Sequence, residues 1–235
     1  MRKKLIVIGI ALVVLIAGVW GGSAIYASLE NDRAPEQLAL STPTAAASST
    51  ATESTTSGDT STQTPANLAG DWKISSGSQA GYRVKEVLNG QDVTVVGRTN
   101  DVEGQVTIDG TSLSAAQVTV SMTSVATDNN SRDSQFLGIL KTSEFPTSTF
   151  TLTQAVDIAA IKDGVASVSA VGELTVAGVT KSVTVSLNAQ TTASGVEVQG
   201  SIPITFSDFG IAAPNLGFVK VEDSGSIEML LQLNK

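Results

Sequence analysis

From about residue 70 to Lys235, apolar and polar positions alternate along the chain with a period of two. Val118, Val120 and Met122 alternate with Thr119 and Ser121, and Phe150 and Leu152 with Thr149, Thr151 and Thr153. Ala166, Val168, Ala170, Leu174 and Val176 share one parity, broken only at Gly172. Val183, Val185, Leu187 and Ala189 form another row, then Val196, Val198, Ile202 and Ile204, and finally Ile227, Met229, Leu231 and Leu233. Side chains alternate across a strand, so each row predicts a strand with one apolar and one wet face. Turn signals separate the rows: Asn89-Gly90, Asp109-Gly110, Asp163-Gly164, Ala177-Gly178 and Ser194-Gly195. Short turns join antiparallel neighbours. About eight such strands predict an all-β antiparallel barrel or sandwich over 70–235.

One stretch departs from the period of two. Between Thr127 and Thr147 the positions Phe136, Leu137 and Leu140 fit a helical face instead. Asn130 or Ser131 is the expected cap, Asp133 favours the first turn, and Phe145-Pro146 is the expected stop. A short helix inserted in a barrel closes one end.

Upstream the character of the chain changes twice. Arg2, Lys3 and Lys4 precede an uncharged, densely apolar run from Leu5 to Trp20 that continues to about Ala27. As a helix, residues 5–27 would extend roughly 35 Å, enough for a bilayer core of about 30 Å. Basic residues before the run favour a cytoplasmic tail at residues 1–4 and export of everything after it. Two readings stay open: a retained single-pass anchor in the cell membrane, or a signal peptide cleaved after Ala24 that releases a secreted domain. Residues 28–69 hold the Ser/Thr/Ala-rich stretch Ser41–Thr64, which has no aromatic or large aliphatic residue. The expectation there is a disordered linker, a coil holding the domain roughly 30–40 Å from the membrane.

Composition removes several functions. The chain of 235 residues has no Cys and no His. Disulfides, Cys- or His-ligated metals and His-based catalytic triads are therefore excluded. The net charge is −8, with three of the basic residues ahead of the apolar run, so a nucleic-acid partner is excluded too. No phosphate-binding glycine loop is present. Asp128-Asn129-Asn130 lacks the glycine and distal Glu of a calcium loop. Neither a cofactor nor enzymatic chemistry is expected.

Several short motifs, in order and spacing, carry a resemblance. They are Trp72, Arg132-Asp133 before Phe136-Leu137, Phe145-Pro146 before Phe150, and GELTVAGVTK at 172–181. FSDFGI at 206–211 and VEDSGSIEM at 221–229 complete the set. Over about Trp72–Leu233 the sequence resembles the YceI-like family of polyisoprenoid-binding, lipocalin-like proteins. It departs from the family in lacking His near the start of the domain, and in having Phe206 where many members are basic. The resemblance implies an eight-stranded barrel whose lumen holds an apolar, chain-like lipid of the isoprenoid class.

The expected lumen residues are Phe136, Phe145, Phe150, Val185, Phe206 and Phe209, with Arg132 and Asp208 as candidates for a polar head group. For Arg132 and Asp208 the alternatives are anchoring the helix and capping a turn. The leading reading is a lipid carrier at the outer face of the membrane. A structural envelope protein whose barrel is filled by its own side chains is the rival. Val185→Glu separates them, a roomy lumen giving a folded, ligand-free barrel and a packed core an unfolded one. Besides the membrane, a second copy of the chain is a partner this pattern allows, as a homodimer.

Overall fold

The structure, a computed structural model, describes residues 27–41, 67–163 and 165–235. Its strands are β1 Gly70–Ile74, β2 Gln79–Leu88, β3 Gln91–Thr99, β4 Val102–Asp109, β5 Ser112–Ser121 and β6 Thr147–Leu152. They continue with β7 Val156–Asp157, β8 Ala166–Val176, β9 Val179–Thr191, β10 Val196–Thr205 and β11 Val219–Asn234. An α-helix, α1, spans Asn130–Ile139 between β5 and β6.

All the strands join one antiparallel sheet, and it closes. β1 and β2 follow one another along the wall and pair with β4 and β3, which do the same on the neighbouring side. From there the order runs β4-β5-β6-β8-β9-β10-β11, and β11 returns to pair with both β2 and β1. Counting β1/β2 and β3/β4 as one bent strand each gives an eight-stranded barrel. The inward parities are those of the sequence rows: Ala170 faces Val185 across β8 and β9, and both lie in the interior.

Four of the five turn signals mark hairpins: β2/β3, β4/β5, β8/β9 and β9/β10. Asn89 and Ala177 both take positive φ (50° and 48°) ahead of a glycine, the geometry that matches the twist of a two-residue hairpin. Asp163-Gly164 marks no hairpin. It precedes β8 at the end of a longer connection from β6 that contains β7 and a 3₁₀ turn, Ala159–Asp163.

The barrel is not uniform along its axis. At one end Trp72, Val106, Ile108, Leu113, Ile158, Ile161 and Leu233 pack into a continuous core. Trp72 donates its indole N–H to the Leu68 carbonyl at 2.8 Å, which satisfies the one polar atom that plug buries. At the other end the wall is incomplete, since the free edge of β3 meets only an isolated bridge between Arg98 and Ala126. Helix α1 lies on this side.

α1 starts one residue earlier than expected. Asn129 is the cap, its side-chain oxygen accepting from the N–H groups of Ser131 and Arg132. It also stops before Phe145-Pro146. Lys141 turns left-handed (φ 50°), and Thr142 N–H donates back to the Leu137 carbonyl. A left-handed residue satisfies the last carbonyls and ends a helix without proline.

The larger difference concerns the expected linker. Residues 27–33 are helical, and the chain then runs extended to Ser41 across the outer wall of the barrel. Asn31 donates to the Asp92 carbonyl and accepts from Thr94 N–H, at 2.9 and 2.8 Å. Arg83 donates to the Pro35 carbonyl at 2.7 Å. Ser41 donates through its N–H and hydroxyl to Glu197 Oε2 at 2.7 and 2.8 Å. Low hydrophobicity does not leave this segment free, because polar wall residues supply partners for its backbone. Residues 42–66 lie outside the described residues, as does the apolar stretch up to residue 26. Ser41 and Asn67 both contact the barrel, and Lys235 Nζ reaches the Asn67 carbonyl at 3.0 Å.

Beneath this strap lies a charged group on the outer wall. Glu228 is only 2% exposed and accepts from Arg83 Nε at 2.7 Å and from Arg98 Nη2. Burial opposes its charge, but the two arginines win and hold its carboxyl below the usual carboxylate range. Glu197, 3% exposed, is likewise pushed up by burial yet held low by hydrogen bonds from Gln232, Ser41 and Gln190.

Candidate functional site

The half of the barrel beside α1 encloses a cavity of about 390 Å³. Pockets that hold small ligands span roughly 300–1,000 Å³, so one organic molecule fits. Its walls come from inward positions of several strands: Ala80, Tyr82, Val84 and Glu86 on β2, Val95 on β3, Val120 on β5, Ile204 on β10 and Ile227 on β11. Met122 follows β5 and adds an adaptable thioether. Helix α1 contributes Phe136, Ile139 and the adjoining Leu140, and the loop before β11 contributes Leu216 and Phe218.

A charged cluster stands in this largely apolar surface. Arg132 on α1 reaches Glu86 Oε1 at 3.4 Å and Asp128 Oδ1 at 2.8 Å, so its charge is shared by two carboxylates. Tyr82 stacks on Phe136 with ring centroids 4.9 Å apart and planes 12° from parallel, which seats the helix on β2. Burial holds the Tyr82 phenol protonated, with Asp133, Glu86 and Asp128 adding to the effect and Arg132 opposing it. A neutral hydroxyl both donates and accepts. The site thus offers a long apolar surface and a small polar end with no excess positive charge.

Three of the expected site residues line this cavity: Arg132, Phe136 and Phe206. The other five lie elsewhere. Phe150 is buried in the core beside Gly172, where a Cβ would collide with its ring and with the Thr151 carbonyl. Phe145 covers the β8/β9 turn, its ring pressed where a side chain on Gly178 would stand. Phe209 is a core residue, and Asp208 is exposed in the 3₁₀ turn Phe206–Phe209. Val185 points inward as expected but is 1% exposed within the packed core, away from the cavity lining.

Sequence reasoning missed Tyr82, Glu86, Leu216 and Phe218. For the first two a signal was present. Ala80, Tyr82, Val84, Glu86 and Leu88 share the inward parity of β2, so a carboxylate falls in an otherwise interior row. Buried carboxylates need partners, which makes such a position a marker in its own right. Leu216 and Phe218 sit in a loop without period, where no pattern distinguishes them.

A closed antiparallel barrel, packed at one end and hollow and apolar at the other, defines a lipocalin-like architecture. Within it the chain belongs to a particular family: the profile of the YceI-like domain matches residues 72–233. Among solved structures it is similar to a polyisoprenoid-binding domain from Saccharophagus degradans, implicated in plant cell wall breakdown. That likeness has TM-score 0.57 and 19% identity, and covers 69% of this chain and 97% of that one. BcnA of Burkholderia cenocepacia is similar with TM-score 0.54 and 20% identity over 70% and 96% of the two chains. At these identities the likeness concerns the fold. A comparison with curated protein sequences returns no significant match.

Proposed function

We propose that this barrel binds an isoprenoid or similar chain-like lipid in its hollow end, as an extracytoplasmic carrier held at the membrane by residues 5–27. The observation that carries the reading is the cavity, whose wall is predominantly apolar, with Tyr82, Arg83, Glu86, Ser148 and Ser226 as its polar strand positions and Glu86 paired to Arg132. Apolar burial at about 25 cal/mol per Å² supplies affinity without directional contacts, as a flexible chain requires. Membership in the YceI-like family and similarity to a polyisoprenoid-binding domain support the ligand class. The lumen does not need to be filled along its length, because Trp72 and its neighbours already close the far end.

Thermal unfolding of the purified full chain, titrated with a long-chain isoprenoid alcohol, tests the proposal. A ligand bound only by the folded state stabilises it by about 2.7 kcal/mol at a hundredfold excess over its dissociation constant. The expected outcome is a saturable rise in melting temperature. A flat profile across the series contradicts carriage.

A further inference from the structure

Five large apolar side chains are well exposed among the described residues: Leu29, Ile139, Val165, Leu216 and Phe218. Three of them fall together. Ile139, Leu216 and Phe218 all line the cavity, and the last two are 56% and 60% exposed, so they form its outer lip. Phe218 is fixed beside the β2/β3 turn, where Asn89 N–H donates to its carbonyl at 2.8 Å. Leu29, 48% exposed, lies on the helical residues 27–33. Asn31 of that same helix is bonded to Asp92 and Thr94, the positions of β3 just past the β2/β3 turn. Residues 1–26, with their uncharged apolar run, therefore join the described chain at the end of the barrel that carries the open lip.

From this coincidence we propose that the lip of the cavity docks on the surface of a lipid bilayer, with Leu216, Phe218 and Ile139 entering its outer layer. The proposal rests on the reading of the hollow end as a lipid site and adds how that site is loaded. Lipid passes from bilayer to lumen without crossing water. Exposed contiguous apolar groups around a cavity mouth require a cover in water, and a bilayer reached by the adjoining apolar run supplies it. The surface is a neutral one. The chain carries a net charge of −8, and beside cavity-lining Val221 the exposed Glu222 and Asp223 outweigh the exposed Lys220, so the lip does not favour anionic head groups.

The chain has no cysteine, so single probes are simple to place. The full chain is reconstituted in phosphatidylcholine vesicles with Phe218→Cys, Leu216→Cys or, as control, Val165→Cys, each carrying an environment-sensitive fluorophore. Val165 precedes β8 at the end opposite cavity-lining Val176. The expected result is a blue shift and several-fold stronger quenching by spin-labelled lipid at 218 and 216 than at 165. Equal, water-like signals at all three positions overturn docking. So does burial of the lip against a second copy, seen as a disulfide-linked dimer when unlabelled Phe218→Cys is oxidised. Isoprenoid titration of the same vesicles keeps the two readings apart. Binding without lip quenching removes the docking alone, and lip quenching without binding removes the lumen site alone.

Discussion

Glu86 and Val185 both face the barrel interior, yet their surroundings give them opposite meanings. Glu86 sits at the hollow end, where Arg132 shares its charge and the cavity leaves space beside it. Val185 sits where Ala170 and its neighbours leave no space at all. A carboxylate introduced at Val185 meets no cation and no water, and an unpaired buried charge costs several kcal/mol of a total stability of about 5–15. Val185→Glu is therefore expected to unfold the domain, seen as loss of the β signal in circular dichroism. A folded variant would contradict the packed end. The sequence-based expectation was a roomy lumen around this residue, and parity could not settle it. Alternation says which face a side chain takes, while the depth of packing along the axis depends on which elements close each end. Trp72 and the β6–β8 connection close one end here, and neither effect is local.

Strands and hairpins were the most legible elements, because each depends on a two-residue period and a turn of fixed chemistry. Helix α1 was legible in its existence but not in its limits, since Asn129 caps it and Lys141 ends it, ahead of the proline. The strap was not legible at all. Its residues pair through backbone carbonyls and through Asn31 and Ser41, so nothing in their hydrophobicity announces docking. Its hold depends on Glu228 and Glu197, and this fixes how it responds to acid. Both carboxyls are held below the ordinary range in the folded state, against about 4.3 in an unfolded chain. The stability they contribute is complete above that value and is lost as pH falls through their lower folded values. The protection of residues 31–41 against hydrogen exchange, relative to the intrinsic rate at each pH, is expected to fall below about pH 4 while the β8/β9 hairpin stays protected. Glu228→Ala is expected to do the same at neutral pH and cost about 2–3 kcal/mol, less than for a fully buried pair because both arginines keep some contact with water. Unchanged exchange in both conditions would show that the strap is held by other contacts.

For the molecule as a whole, fold and family followed from strand patterning and a few ordered motifs, and the YceI-like match over residues 72–233 agrees with them. The site followed only in part. Its apolar wall was foreseeable from the inward rows, but the lip, the Tyr82–Phe136 stack and the strap arise from how loops and ends meet in space. The central claim is that the hollow end holds a chain-like lipid. Filling that end should therefore displace the lipid and spare the fold. Ile204 is a half-buried wall residue of the cavity, and an indole in its place occupies space that the ligand needs. Native mass spectrometry of the protein isolated from its own cells, wild type beside Ile204→Trp, reads this directly. The wild type is expected to carry a bound mass on the order of several hundred daltons that Ile204→Trp, still folded, lacks. A wild type that arrives empty, or a folded variant that keeps the same lipid, would contradict the account.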